Sequence, residues 1–118
     1  MGERTESGRQ AGGRARPLKE MVVDALRAAG VRPTMRKEFV EVPIMDNAAA
    51  LAGMMDRHGV EPTAMEPLRR GLVRELAKIA ALHPTHTAFV TAEGRMRSGG
   101  TETVLVPTVL RIRFKRKR

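Results

Sequence analysis

The sequence predicts an α+β protein with three helices and a small antiparallel sheet, in the order helix, strand, helix, helix, strand, strand. Apolar residues recur at helical spacing in three segments and alternate with polar residues in three others. A chain of 118 residues that is 42% hydrophobic is large enough for one folded core. We expect a single domain over residues 18–114 and a basic tip at 115–118.

The chain begins with residues 1–17, which are rich in Gly, Arg, Ser and Glu and have almost nothing to bury. This composition predicts a disordered arm. Residues 18–29 follow as a predicted helix that ends at Gly30, a natural C-terminal stop. Its apolar stripe consists of Met21, Val22, Ala25, Leu26 and Ala29.

A strand is predicted over residues 37–44, where Val40, Val42 and Ile44 alternate with Phe39 and Glu41. Pro43 places this strand at a sheet edge or marks its end. The second helix is expected over residues 46–58, with Asp46 as its N-cap and Gly59 as its stop.

The third helix is predicted over residues 67–82, because Pro67 suits a first helical turn and Thr63–Glu66 has the spacing of a capping box. Its apolar face consists of Leu68, Leu72, Leu76 and Ile79. A basic row on nearly the opposite side consists of Arg70, Arg74 and Lys78. The small residues Gly71, Ala77 and Ala81 flank this row, which would let a ligand backbone approach closely. The default interpretation of such a row is a solvated helix face, and ligand binding is the alternative.

Two strands are predicted at residues 86–92 and 103–114, joined by a flexible basic loop at 93–100. In the last strand, period two assigns one face to Val104, Val106, Leu110, Ile112 and Phe114. The other face then carries Arg111, Arg113 and Lys115. Pro107 indicates a bulge or an edge position.

Charge is distributed unevenly along this chain. Residues 18–94 contain ten basic and ten acidic residues, whereas the last eight residues contain six basic and no acidic ones. The net charge of +9 therefore comes mainly from the ends of the chain. A neutral body with a cationic terminus is typical of a protein that binds a polyanion, although a short Lys/Arg run can also be a solvated end.

Several functional classes find no support in the sequence. The chain has no cysteine, which rules out disulfides and thiolate metal sites. The His83–His86 segment contains Pro84 and has no third ligand nearby, so we interpret it as a turn. Ser98–Gly100 lacks the spacing of a phosphate-binding loop. We expect a non-enzymatic protein without metal or cofactor.

No apolar run is long enough to cross a bilayer, and the N-terminus lacks the apolar core of a secretory signal. We therefore expect a cytoplasmic protein that has no membrane role. The methionines Met54, Met55 and Met65 are interpreted as core filling, with an adaptable protein-binding surface as the alternative.

The order of the predicted elements resembles that of winged helix-turn-helix DNA-binding domains. In that resemblance residues 46–58 correspond to the supporting helix, 67–82 to the recognition helix and the loop 94–100 to the wing. The resemblance implies that the basic row faces the major groove and that Arg95 and Arg97 reach adjacent phosphates or the minor groove. The segment 59–66 is longer than the usual turn, and another small α+β arrangement is the alternative.

These observations lead to the hypothesis of nucleic-acid binding, with duplex DNA preferred to RNA. Phe89 and Phe114 are expected in the core, which leaves no aromatic platform for single strands. The candidate contacts are Arg70, Arg74, Lys78, Arg95, Arg97, Arg111, Arg113, Lys115, Arg116, Lys117 and Arg118. The alternative is a structural or assembly component of a phage, plasmid or ribosome, whose basic ends dock on acidic protein or RNA. A homo-oligomer that forms without nucleic acid would favour this alternative.

Overall fold

The structure is a computed structural model and describes residues 16–62 and 64–118. Three α-helices and four strands are present in these residues. In chain order they are α1 Leu18–Ala28, β1 Thr34–Met35, β2 Phe39–Pro43, α2 Ala48–Arg57, α3 Met65–Leu82, β3 His86–Gly99 and β4 Glu102–Arg116. The predicted arm over residues 1–17 lies outside the described residues, apart from Arg16 and Pro17.

The strands form one antiparallel sheet in the order β1-β2-β4-β3. The predicted α+β class and the predicted order of helices and strands are confirmed. Strand β1 was not predicted, because a two-residue strand is too short to show any alternation. It pairs with β2 and places β2 inside the sheet, where Pro43 is the last residue of the strand.

All three helices pack on one face of the sheet, which we call the inner face. Its buried side chains are Val40 and Val42 from β2, Val90 from β3, and Leu110 and Ile112 from β4. They join the buried apolar residues of α1, α2 and α3 in a single core. The opposite, outer face of the sheet is not covered by any element of the described chain.

The end of α1 follows the sequence prediction closely. Gly30 adopts φ 88°, a left-handed conformation that glycine tolerates best. This turn allows the Val31 N–H to donate to the Leu26 carbonyl at 2.9 Å. Val31 is thereby returned to the core, where it is 1% exposed.

The prediction that Asp46 caps the second helix is wrong. A 3-10 turn at Met45–Asn47 precedes α2, and Asn47 occupies the N-cap position without capping the helix through its side chain. The buried Asn47 amide instead accepts from the Arg32 N–H at 2.7 Å and donates to the Pro43 carbonyl at 2.8 Å. This residue fastens the segment after α1 to the end of β2.

Helix α3 begins two residues before its predicted start. Its N-cap position is Ala64, which makes no side-chain cap, and Thr63 of the predicted capping box lies outside the described residues. Gly71 does not provide an open surface, because an added Cβ would overlap the Met55 side chain of α2. The idea that Gly71 lets a ligand approach is therefore wrong, since this glycine serves helix packing.

The predicted flexible loop at residues 93–100 is also wrong. Strand β3 continues to Gly99 and pairs there with Glu102, which leaves a two-residue turn at Gly100–Thr101. Gly100 adopts φ 66°, as tight hairpin turns require. The result is a protruding two-stranded ribbon, formed by residues 94–99 and 102–107. Its six residue pairs give it a length of about 20 Å.

A β-bulge separates the ribbon from the body of the sheet. Glu93 pairs with Val109, whereas Gly94 pairs with Pro107, so Thr108 is the extra residue. An extra residue reverses the alternation on β4. Val104 and Val106 therefore lie opposite Arg97 and Arg95 on the continuation of the outer face.

This bulge corrects the prediction that the two valines share a face with Leu110 and Ile112. The position of the bulge agrees with the signal from Pro107. Gly94 is required at this point, because an added Cβ would lie 2.5 Å from the Val106 carbonyl oxygen.

Candidate functional site

Cations line the outer face of the β3–β4 ladder from one end to the other. In the body of the sheet, Arg111, Arg113 and Lys115 lie opposite Thr91, Phe89 and Thr87. Beyond the bulge, Arg95 and Arg97 continue the same face along the ribbon. The sequence grouped the first three correctly by period two, and the bulge brings the other two into line with them.

Arg111 differs from its neighbours because its charge is neutralised within the protein. Its guanidinium donates to a Glu41 carboxylate oxygen at 2.9 Å and also bonds Glu93. Arg36 donates to the other Glu41 oxygen at 2.8 Å. The bonds from Arg36 and Arg111 lower the pKa of Glu41, and the bond to Glu41 raises the pKa of Arg111. We conclude that Arg111 anchors the sheet and has little charge to offer a ligand.

Arg113 lies on the same face and pairs with no carboxylate of the described chain. It donates to the Thr91 hydroxyl at 3.0 Å. Its guanidinium carbon lies 5.3 Å from the centre of the Phe39 ring, and that of Arg111 lies 5.6 Å from it. These contacts fix the direction of the Arg113 guanidinium while leaving its charge uncompensated.

The C-terminal residues divide into two groups. Lys115, Arg116 and Arg118 are exposed, and none pairs with a carboxylate within residues 16–62 and 64–118. The Lys117 ammonium instead donates to the carbonyls of His83 at 2.6 Å and Ala81 at 3.2 Å. Lys117 therefore satisfies the C-terminal end of α3, where a cation also complements the helix dipole.

The ribbon presents Arg95 and Arg97 with little support around them. Both are exposed and form no ion pair with the described residues. Their cross-strand neighbours Val106 and Val104 share the face, so that cationic and aliphatic side chains are mixed along it. Such side chains keep their full charge and are free to meet a partner.

The basic row of α3 lies on the other side of the sheet. Arg70, Arg74 and Lys78 are exposed on the helix, which packs on the inner face. Arg74 donates to the carbonyl of His58 at 3.0 Å and so helps to close the end of α2. The sequence suggested that α3, the ribbon and the C-terminal strand contribute to one binding surface. The sheet separates them, because α3 lies on its inner side and the cations of the other two lie on its outer face.

Glu75 lies close to this row and is fully engaged. His58 bonds it at 2.8 Å and Arg57 at 3.1 Å. Burial raises the pKa of the Glu75 carboxyl, but the bonds from His58 and Arg57 outweigh this effect and leave the pKa lowered. This cluster fastens α2 to α3.

The expectation that Phe89 and Phe114 both lie in the core is half right. Phe114 packs against the core, but Phe89 lies on the outer face and is 43% exposed. The partners Glu41, Glu93 and Phe39 were not recognised as part of the site. They lie beside the arginines because of the register of β2 and β3 against β4. The sequence showed only that Phe39 and Glu41 lie on the opposite face of their strand from Val40.

His83 has a structural role in the described fold. Its Nδ1 accepts the N–H groups of Thr85 and His86 at 3.2 and 3.0 Å, and its Nε2 donates to the Arg16 carbonyl at 2.9 Å. The turn predicted for this segment is present. Within the described residues, no cluster of three or more His, Cys, Asp or Glu side chains is placed to hold a metal ion. None of the three α-helices in the described residues has both the length and the apolar character that a membrane span requires.

Comparison with protein families, with curated proteins and with solved structures finds no match to this chain. Function must therefore be argued from the surface itself.

Proposed function

We propose that this protein binds nucleic acid through the outer face of the β3–β4 ladder, with duplex DNA as its preferred form. One observation carries the proposal: the outer face is uncovered and bears four cations that pair with no carboxylate of the described chain. These are Arg95, Arg97, Arg113 and Lys115. Cations aligned on a stiff ladder match a polymer that repeats negative charge along its length.

The dimensions of this face support contacts to phosphates. Between Thr87, which pairs with Lys115, and Arg97 the strand β3 covers ten steps. At about 3.3 Å per residue this is about 33 Å, close to one turn of B-form DNA. A face of this length spans several phosphates along the duplex, and such contacts position a protein without reading sequence.

The aromatic residues of the face favour a duplex over a single strand. Proteins that bind single strands stack successive bases on successive open rings. Here the Phe39 ring lies against the guanidiniums of Arg111 and Arg113, which leaves Phe89 as the open ring of this face. Phosphate contacts, supplemented by the exposed Arg116 and Arg118 at the chain end, therefore carry the proposal.

The rival mode within this proposal is that of the winged helix-turn-helix domains. In that mode α3 enters the major groove with Arg70, Arg74 and Lys78, and the ribbon serves as the wing. Both modes use the ribbon, but only the rival mode uses the cations of α3, so substitutions on α3 distinguish them. In either mode the protein is a binding protein rather than an enzyme, and it acts inside the cell.

A second candidate is a role in assembly, in which the basic end of the chain docks on an acidic protein or RNA. The observation that favours it is the exposure of apolar side chains on the ribbon: Met96 is 62% exposed, Val104 54% and Leu105 47%. A solvated charged ribbon would not need these side chains, whereas one that packs against a partner would.

Salt titration of binding to labelled duplexes tests the proposal. If the four outer-face cations each neutralise a phosphate, log K should fall with log salt at a slope of about −3.6, from about 0.9 per contact. Duplex DNA should bind more tightly than duplex RNA or single strands of equal length. Affinity that does not change with salt, or no affinity for any of these polymers at low salt, would contradict the proposal.

A further inference from the structure

Strand β3 has a long free edge. It is the terminal strand of the sheet and runs from His86 to Gly99. Within the described residues, no strand pairs with the edge that faces away from β4. Natural edge strands are usually protected by proline, lysine or a covering segment. This strand contains neither proline nor lysine, and its charged residues Glu93, Arg95 and Arg97 lie on the outer face rather than the inner one. Its free backbone groups are therefore open to a further strand.

An apolar groove lies along the first half of this edge. It has a volume of about 270 Å³ and lies between α3 and β3, with Val73, Ala77, Ala81 and Ala88 in its lining. We call it the edge groove. A strand added to β3 would direct every second side chain toward the inner face, and therefore into the edge groove.

The second half of the same strand carries an exposed apolar side chain that suits such a groove. Met96 lies on the inner side of the ribbon, beside Leu105 on β4, and both are exposed. An unbranched methionine adapts well to an irregular apolar groove. One strand thus carries an unfilled groove near one end and an uncovered apolar side chain near the other.

We propose that two copies of this chain associate by antiparallel pairing of β3 with β3, with Ala92 on the two-fold axis. In this register Met96 of each copy lies opposite Ala88 of the other and fills its edge groove. The same register sets Arg95 of each copy opposite Phe89 of the other on the outer face. Both pairs are centred on Ala92, so one symmetric arrangement satisfies them together.

The Arg95 contact adds complementarity of charge and shape. Phe89 is 43% exposed on the outer face, and a guanidinium over an aromatic ring is attracted by its π-electrons. The pairing joins the two four-stranded sheets into one and makes their outer faces continuous. The inference goes beyond nucleic-acid binding, because the association requires no ligand.

Light scattering with size exclusion tests the association without nucleic acid. The wild-type chain should be a dimer that dissociates on dilution. Met96→Asp and Ala77→Asp should each raise the dissociation constant about a hundredfold or more, which corresponds to about 2.8 kcal/mol. Val104→Asp is the control, because Val104 lies on the opposite face of the ribbon and should leave the dimer intact. A wild-type chain that is monomeric at all concentrations would overturn the proposal and leave the edge to another partner.

Disulfide trapping tests the register, since the chain has no cysteine of its own. Phe89→Cys mixed with Arg95→Cys should cross-link on oxidation, because the two positions are opposite each other. Either variant alone should not, since its two cysteines would lie six residues apart, about 20 Å and far beyond disulfide reach. Cross-linking of Phe89→Cys with itself as readily as in the mixture would refute this register.

Discussion

The two halves of the β3–β4 hairpin share one ladder but differ in what supports them. In the body, residues 86–93 and 109–116 have the core on one side, and Arg111 there is held by Glu41 and Glu93. In the ribbon, residues 94–99 and 102–105 are exposed, and its arginines form no ion pair with the described chain. The comparison shows that alternation alone does not make a cation available. The register of the neighbouring strands decides which arginines are structural and which are free.

The largest expected effect is the loss of stability when a leucine of β4 is truncated in the body rather than in the ribbon. Leu110 is completely buried in the body, whereas Leu105 is 47% exposed on the ribbon. Leu110→Ala should lower the free energy of unfolding by about 2–5 kcal/mol, because it leaves a cavity in the core. Leu105→Ala should change it by less than about 0.5 kcal/mol. Urea denaturation measures both. Equal losses would mean that the ribbon packs on the body of its own chain.

A pair of glycines gives the next largest effect. At Gly94 an added Cβ meets the Val106 carbonyl at 2.5 Å, whereas nothing lies within 4 Å of one at Gly99. Gly94→Ala should therefore cost about 1–3 kcal/mol through displacement of the bulge. Gly99→Ala should be close to neutral in the same denaturation assay. A neutral Gly94→Ala would show that the bulge is not fixed by this close approach.

The smallest expected effect is on the loss of folding stability at low pH. The pKa of Glu41 is lowered in the folded protein by bonds from Arg36 and Arg111, so these bonds stabilise the fold above the unfolded pKa of about 4.3. That contribution is lost as the pH falls through the lowered pKa. Glu41→Gln should therefore flatten the loss of stability below about pH 4.3.

The matched control for this prediction is Glu66→Gln. The pKa of Glu66 is also lowered by its bonds to Arg69, but this pair is exposed at the surface. Solvent screens such a pair, so Glu66→Gln should change the loss of stability at low pH less than Glu41→Gln does. Unfolding midpoints measured across the acid range decide the matter. A larger change in Glu66→Gln than in Glu41→Gln would contradict the structural role given to Glu41.

The helices were predictable because each carries a long apolar stripe with a clear stop. Gly30, for instance, ends α1 through the left-handed turn expected of it. The ribbon was not predictable, because Gly94, Gly99 and Gly100 are typical of loops. Yet Gly94 permits a close approach at the bulge, Gly99 has open space around it, and of the three only Gly100 forms the turn. Local composition does not distinguish these uses.

The candidate site was predictable in its residue types but not in its grouping. Period two correctly set Arg111, Arg113 and Lys115 on one face of β4. It could not show that Thr108 is an extra residue, which requires the partner strand. Nor could it show that α3 lies behind the sheet. The separation of the helix row from the outer face is a property of tertiary packing, and it changes the functional proposal most.

A comparison of two charge-matched double variants tests the central claim most directly. Arg97→Gln with Lys115→Gln removes two cations from the outer face, and Arg70→Gln with Lys78→Gln removes two from α3. The account predicts that the outer-face pair weakens binding to duplex DNA and makes the salt slope shallower by about 1.8, at about 0.9 per phosphate. The α3 pair should leave the slope unchanged. An α3 pair that makes the slope shallower by at least as much as the outer-face pair would contradict the account and favour α3 as the DNA-binding surface.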